Sequence, residues 1–296
     1  MQIISLTILL AAITLAAADP ILLTDSVLPR APQVEAAHER RGIAFNNPNF
    51  VRYFAVEGTH ATWCYNWDSA TSRYDAWYKY VPMLHSLREE HTDPWLVRIE
   101  KAANLDGQDP TFILAFNKPD ICDIGSGGTC ISVREAVAGW RKWIEPLRAL
   151  KPKMYLGSPA VSNVVGQQNK GLDWLSQFMN TCSDCQIDFI SIHWYGGAKQ
   201  HQEFKDHIEN VRKMARDRPI WVTEFKPSGT DEEIMRFLDE VLPWMDNSSD
   251  IHRYAYFMAR PGPGLLINEA QTNMSDIGAH YNFHHLNVDP QVAGDS

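Results

Sequence analysis

Residues 188–225 read DFISIHWYGGAKQHQEFKDHIENVRKMARDRPIWVTEF. Two short runs of β-branched and aromatic residues, 188–192 and 220–223, enclose residues 201–215, where apolar side chains recur at helical spacing. Pro219 marks the break before the second run. A helix between two strands predicts a parallel βα unit, because the chain must cross the sheet before the second strand can begin.

The same alternation of strand-like and helix-like segments extends over most of the chain. Eight strand candidates lie at 42–45, 61–65, 80–84, 112–116, 154–157, 188–192, 220–223 and 253–257. Helical spacing is clearest at 133–150, 171–179, 201–215 and 231–245. Eight βα units predict a closed barrel more readily than an open sheet, so the expected fold is α/β, a single (β/α)8 TIM barrel.

The ends of the chain differ from this pattern. Residues 1–18 form an apolar run that ends in small residues, which is typical of a signal peptide cleaved after Ala18. Residues 19–40 are interpreted as an extended leader, 41–283 as the barrel domain, and 284–296 as a C-terminal tail. We therefore expect a secreted protein that is extracellular or associated with the cell wall.

Charge and composition narrow the classes of partner. The chain has 27 Lys and Arg against 36 Asp and Glu, a net charge of −9, and no basic stretch interleaved with aromatic residues. This balance argues against a nucleic-acid partner. No later segment is long and apolar enough to cross a bilayer, so we expect no membrane partner. We also expect no cofactor, and we expect the protein to be a monomer.

The five cysteines are consistent with an oxidising compartment. Cys122 and Cys130 flank a glycine-rich loop, and Cys182 and Cys185 lie in one tight turn. We predict these two local disulfides and a buried thiol at Cys64. A single Cys-x-x-Cys without a second pair is weak evidence for zinc, so no metal site is expected.

In a barrel of this kind, functional side chains lie where the strands end and the βα loops begin. Polar and aromatic residues concentrate at these points in 63–67, 116–120, 157–160, 192–196, 223–225 and 256–257. Trp faces stack well on the apolar faces of sugar rings, but most Trp in any sequence lies in the core, so the ten Trp residues are only weak evidence for a carbohydrate cleft at this end of the barrel.

The order of these motifs resembles glycoside hydrolase family 128, a set of secreted β-1,3-glucanases with a (β/α)8 barrel. The resemblance runs from about 41 to 281 and is carried by 65–67, 81–84, 116–120, 156–160, 182–185, 188–196, 221–225 and 253–257. It implies a β-1,3-glucan substrate or its oligosaccharides and a retaining mechanism with two carboxyl groups. Glu224 matches the nucleophile, and Asn117 matches the residue that binds the sugar 2-hydroxyl.

The sequence departs from the family pattern at the general acid/base. Active members have Asn-Glu-Pro-Asp at this point, whereas Lys118 follows Asn117 here. A lysine stays protonated beside a carboxylate and cannot deprotonate water, and loss of general acid–base help costs about 10²–10⁴ in rate. We expect a Lys118–Glu224 ion pair. The alternative is that Asp120 takes over as acid after a small loop shift, although Pro119 stiffens the turn.

Further substrate-binding residues are expected around Glu224. Tyr195 is predicted to hydrogen-bond the Glu224 carboxylate, the alternative being that it only closes the barrel mouth. His193 is either a sugar contact or a structural histidine. Tyr65, Trp67 and Trp194 are predicted as aromatic contacts for the glucan, with Trp67 and Trp194 as stacking platforms.

Three functions are compatible with these observations. The first, which we favour, is a glucan-binding pseudoenzyme that retains the cleft and has lost the acid at Lys118. The second is a working β-1,3-glucanase with Glu224 as nucleophile and a substitute or external acid. The third is a secreted structural or interaction protein, which would have no reason to retain the cleft aromatics together.

Overall fold

A computed structural model describes residues 40–72, 78–103, 112–150 and 153–284. The predicted signal peptide, the leader up to residue 39 and the tail beyond residue 284 lie outside the described residues. Within these ranges, no helix combines the length and apolar character needed to cross a membrane.

Eight parallel strands form where the sequence predicts them. They are β1 (Arg41–Phe45), β2 (Ala61–Tyr65), β3 (Lys79–Tyr80), β4 (Phe112–Ile113), β5 (Tyr155–Leu156), β6 (Ile190–Gly197), β7 (Ile220–Ser228) and β8 (Ile251–Ala259). The predicted strands at 80–84 and 112–116 are longer than the observed ones. β6 and β7 extend five residues further than predicted at their C-terminal ends, and β8 extends two residues further at each end.

The strands close into a ring. Six of them hydrogen-bond in the order β3-β2-β1-β8-β7-β6, and β4 pairs with β5. The bridge between Met83 and Leu114 joins β3 to β4, and the bridge between Gly157 and Phe189 joins β5 to β6. The prediction of a (β/α)8 barrel is therefore confirmed.

Helices cover the outside of the barrel. They are α1 (Pro48–Val51), α2 (Glu89–Thr92), α3 (Trp95–Ala103), α4 (Val133–Gly139), α5 (Gly171–Thr181), α6 (His201–Ala215), α7 (Asp231–Asn247) and α8 (Asp276–Phe283). Capping boxes start α4 at Ser132 and α7 at Thr230.

The predicted helix at 133–150 is not one continuous α-helix. After α4 the chain makes one π-helical stretch, Trp140–Ile144, and then a 3-10 segment, Glu145–Ala149. Pro146 lies in the first turn of the 3-10 segment, where a missing N–H is tolerated, but it could not continue an α-helical ladder.

Two apolar layers support the site. Inside the barrel, Trp63, Phe112, Phe189 and Trp221 pack ring against ring, with centroids 4.3–6.0 Å apart. A second layer fills the space between the strands and the outer helices. The barrel interior is thus a packed core, and ligands must bind at its rim.

Both predicted disulfides are present. Cys122 is bonded to Cys130, and Cys182 to Cys185. Cys64 takes part in neither and is buried, as predicted.

Candidate active site

Glu224 is the centre of the site. It is the central residue of β7 and has no exposed surface, and the β6–β7 register places it directly beside His193. Trp67 Nε1 donates a hydrogen bond of 2.7 Å to Glu224 Oε1, and the Tyr195 hydroxyl donates to Oε2. Lys118 Nζ lies 3.6 Å from the same Oε2. The predicted contacts of Tyr195 and Lys118 with Glu224 are therefore confirmed.

These contacts keep the carboxylate charged. Burial alone would raise the pKa of Glu224, but His193, Lys118 and the hydrogen bonds from Tyr195 and Trp67 outweigh it, and the pKa is lowered. Burial also lowers the pKa of His193 to about 4, so its charge acts on Glu224 only in acid and the imidazole is neutral near pH 7. Lys118 is then the cation that faces Glu224. Glu224 has the ionised form that a nucleophile requires, but it is held in an ion pair.

Lys118 is positioned by its own backbone and by the disulfide loop, residues 122–130. Its φ is +38°, a conformation that few residues other than glycine adopt. The turn is fixed because Lys118 N donates to Ala160 O at 2.8 Å. Nζ donates to Ser126 O at 2.8 Å and lies 5.7 Å from the centroid of the Tyr195 ring. The ammonium group is therefore held between the loop and the carboxylate.

Asn117 is oriented by the same loop. Its Nδ2 donates to Gly127 O at 2.9 Å, and Thr129 Oγ1 donates to its main-chain oxygen at 2.8 Å. The side-chain Oδ1 is buried and accepts no hydrogen bond from the described residues. An unsatisfied buried acceptor costs about 1–3 kcal/mol. A sugar hydroxyl would supply the missing donor, as the family resemblance predicts.

Asp120 is held by hydrogen bonds of its own and is not among the partners of Glu224 in the described residues. Its carboxylate accepts hydrogen bonds from the Ser162 hydroxyl at 2.5 Å and from Gly171 N at 2.8 Å, which ties the βα loop after β5 to the start of α5. These bonds would have to break before Asp120 could reach the substrate. The alternative of a small loop shift is therefore not supported by the geometry.

An aromatic wall borders the carboxylate. Trp67, which is half-buried, packs against Phe257 with ring centroids 5.5 Å apart, and Phe257 packs edge-on against Tyr195 at 5.7 Å. Trp67 thus has two roles available to it, since its N–H holds Glu224 while the ring remains partly open to a ligand.

Two predicted sugar contacts, Trp194 and Tyr65, are corrected by the structure, and for His193 the structure favours the structural alternative. Trp194 is 3% exposed and stacks on Phe237 with centroids 5.3 Å apart, so it belongs to the layer between strands and helices. Tyr65 is fully buried, and its hydroxyl donates to Thr223 O at 2.7 Å. His193 is also fully buried and reaches Glu224 rather than the cleft surface. None of these three side chains lies at the surface of the cleft.

Other residues near the site were not predicted. Phe257 was recognised only as the end of a strand, and His85, which follows β3, was not singled out. Asn117 N donates to His85 O at 2.9 Å, and burial lowers the pKa of the His85 imidazole to about 4. The contact of Ser126 O with Lys118 was also missed, because a loop carbonyl gives no signal in a sequence.

Neutralising Lys118 should raise the pKa of Glu224. In Lys118→Met the burial that favours the protonated carboxyl remains, whereas one of the interactions that opposes it is gone. Infrared difference spectra between the variant and its Glu224→Gln derivative, recorded against pH, report the carboxylate midpoint. Lys199→Met, which changes an exposed lysine, is the control. An unchanged midpoint in Lys118→Met would show that the ion pair does not govern Glu224.

Known proteins share this architecture. A family model described as "Glycosyl hydrolase catalytic core" matches residues 42–281. The alkali-sensitive linkage protein 1 of Schizosaccharomyces pombe is 31% identical over 258 residues, which cover 82% of this chain and 44% of that protein. The chain thus spans less than half the length of this curated relative.

Two solved structures are similar in sequence as well as in fold. One is a curdlan-specific exo-β-1,3-glucanase of family 128, subgroup III, from Blastomyces gilchristii in complex with glucose. It has 33% identity, a TM-score of 0.70, and coverage of 82% of this chain and 97% of that one. The other is an endo-β-1,3-glucanase of subgroup II from Sorangium cellulosum, with 26% identity, a TM-score of 0.67, and coverage of 82% and 97%. The chain therefore belongs to the glycosyl hydrolase catalytic core family and to glycoside hydrolase family 128.

Proposed function

We propose that this protein binds β-1,3-glucan chains in the cleft around Glu224 and does not hydrolyse them at an enzymic rate. The β-1,3-glucan specificity is supported by the Blastomyces gilchristii and Sorangium cellulosum relatives, both of which are β-1,3-glucanases. Binding is supported by the partly open ring of Trp67 and by the unsatisfied Asn117 Oδ1.

The observation that carries the proposal is the 3.6 Å contact between Lys118 Nζ and Glu224 Oε2. A retaining glycosidase needs a second carboxyl group about 5–5.5 Å from the nucleophile, first to protonate the leaving oxygen and then to deprotonate water. Among the described residues, the partners of Glu224 are Trp67, Tyr195, His193 and Lys118, and none of them is a carboxylic acid.

Neither neighbouring titratable group replaces the acid. Lys118 has no carboxyl oxygen to offer, and its ammonium group is occupied by Ser126 O and Glu224. His193 is neutral near pH 7 and has no exposed surface, so it cannot reach a glycosidic oxygen in the cleft. An active β-1,3-glucanase with Glu224 as nucleophile would therefore need an external acid, or Asp120 after its hydrogen bonds to Ser162 and Gly171 have broken.

A purely structural or interaction protein is the other alternative. Such a protein would not need an ionised, fully buried carboxylate beside a half-buried Trp67 and an Asn117 with an unpaired acceptor. A buried charge is costly unless partners compensate it, and here Lys118, Tyr195 and Trp67 are all committed to that purpose. The retention of these groups together favours a ligand.

Glucan binding should depend on linkage type and on Trp67. We expect calorimetric titration to show binding of β-1,3-gluco-oligosaccharides and weaker binding of β-1,4-linked oligosaccharides of equal length. Trp67→Ala should weaken the β-1,3 ligand by about 1–3 kcal/mol, if a sugar–indole stack resembles a base–aromatic stack. Trp67→Phe, which keeps a ring face but loses the N–H to Glu224, is the matched control and should retain most of the affinity. Equal heats for the two linkages, or no heat for either, would contradict the assignment of β-1,3-glucan as the ligand.

We also infer that the protein acts outside the cytoplasm, as a secreted or cell-wall protein. The inference is supported by the apolar run at 1–18 and by the disulfides Cys122–Cys130 and Cys182–Cys185, since such bonds persist in oxidising compartments. The first of these disulfides closes the loop that positions Lys118 and Asn117. An oxidising environment would therefore also preserve the shape of the site.

A further inference from the structure

A second cluster of ionisable side chains lies on the outer helices. Asp239 belongs to α7, His280 to the last turn of α8, and His284 follows the end of α8. Asp239 Oδ1 is 2.8 Å from His280 Nε2 and 3.1 Å from His284 Nε2. One ligand atom from each of the three residues lies within 4.8 Å of the other two.

The backbone presents the two imidazoles together. His284 N donates to His280 O at 2.9 Å, which continues the helical hydrogen-bond pattern by one residue beyond Phe283. Residues four apart on a helix share one face, and the two ring centroids are 5.1 Å apart. Asp239 approaches the same face from the neighbouring helix, so both elements contribute ligand atoms to one point.

We propose that Asp239, His280 and His284 bind a divalent transition-metal ion of the zinc class. Imidazole nitrogen and carboxylate oxygen are ligands that Zn²⁺ takes at about 2.0–2.2 Å, and in a tetrahedral site the ligand atoms are then roughly 3.3 Å apart. The observed separations of 2.8 and 3.1 Å from Asp239 Oδ1 need to widen only slightly to admit the ion.

The cluster is accessible to an ion from solvent. The side chains of Asp239, His280 and His284 are 50%, 25% and 17% exposed. Three protein ligands with solvent access leave a fourth position for water or another ligand.

The cluster is separate from the cleft. His284 O accepts a hydrogen bond of 3.2 Å from Arg41, which starts β1, so the cluster lies toward the N-terminal ends of the strands. Glu224 lies toward the opposite ends. The expectation of no metal site was based on the Cys182-x-x-Cys185 turn. His280 and His284 are 41 and 45 residues from Asp239 in sequence, and helix packing brings the three together.

Zn²⁺ titration of the full-length, disulfide-intact protein without a histidine tag tests the proposal. Isothermal calorimetry should show saturable binding of one ion per chain, and Co²⁺ should give the visible absorption bands of a low-symmetry site. Loss of a partner in the outer coordination sphere already lowers metal affinity about 10–100-fold, so Asp239→Asn and His280→Ala should each weaken Zn²⁺ at least about tenfold. His201→Ala, which removes an imidazole from the start of α6, should leave the affinity unchanged.

Two results would overturn the proposal. One is a wild-type protein that shows no saturable Zn²⁺ binding, in which case the two imidazoles only hydrogen-bond the Asp239 carboxylate. The other is a His280→Ala/His284→Ala variant that has the wild-type circular dichroism spectrum and binds Zn²⁺ as tightly as the parent.

Discussion

Lys118→Glu should hydrolyse β-1,3-glucan at least ~10² faster than the parent protein. The substitution removes the cation that lies 3.6 Å from Glu224 and places a second carboxyl group in the site. Repulsion between two nearby carboxylates raises the pKa of one of them, so that it can act as an acid near neutrality. Release of reducing sugar from a β-1,3-glucan measures the gain.

Two controls separate the possible causes of such a gain. Lys118→Gln relieves the ion pair but supplies no proton, and it should show little hydrolysis. Lys118→Glu/Glu224→Gln removes the nucleophile and should lose the gained activity. If Lys118→Glu binds glucan yet cleaves no faster than the parent, then the missing acid is not the sole reason why the site is inactive. If the parent cleaves glucan and Asp120→Asn abolishes that activity, then Asp120 is the acid despite its bonds to Ser162 and Gly171.

The second large effect concerns stability. Asp246→Ala should lower the free energy of unfolding by about 3–5 kcal/mol, because it leaves the buried Arg41 charge without its partner. Arg41 Nη2 and Asp246 Oδ2 are 2.7 Å apart, and both side chains are 2% exposed. Arg41 also donates to the Tyr254 hydroxyl and to Tyr281 O, at 2.8 Å each. This network joins β1, β8, α7 and α8 where the barrel closes.

Urea unfolding followed by circular dichroism measures the effect. Asp184→Ala breaks an ion pair with Arg141 that is exposed on both sides, so it should change stability little. A double change of Arg41 and Asp246 to apolar residues of similar size should recover much of the loss, because no unpaired charge remains. If Asp246→Ala were as harmless as Asp184→Ala, the network would not hold the barrel together.

The barrel could be predicted because the patterns of strands and helices recur along the sequence. Each of the eight strands has its own apolar run, and the alternation with helices forces parallel pairing. The strand ends could not be predicted, because they depend on register with neighbouring strands. In the part of the chain that the structure describes, the pairing of β3 with β4 is an isolated bridge between Met83 and Leu114. Pro146 indicates a break in the helix after α4, but the helical spacing of apolar residues over 133–150 led to the prediction of one helix.

The site could be predicted where strand ends converge. Tyr195 lies on β6, Glu224 lies on β7 and Lys118 follows β4. The three meet because barrel strands share one C-terminal rim. Trp194 was misplaced, since neighbouring residues on a strand face opposite sides. His193 and Tyr195 both reach Glu224, so Trp194 between them must face the helices. The hydrogen bond from Trp67 to Glu224 depends on three-dimensional packing and has no sequence signal.

The most direct test of a barrel that binds glucan without cleaving it is product analysis by mass spectrometry. A defined β-1,3-gluco-oligosaccharide is incubated with a stoichiometric amount of the wild-type protein, in parallel with Glu224→Gln, and both the bound and free fractions are analysed. The account predicts that the oligosaccharide is retained by the wild-type protein and recovered at its original length. Shorter products that form with the wild-type protein and not with Glu224→Gln would contradict it, because they would show a working retaining site in spite of Lys118.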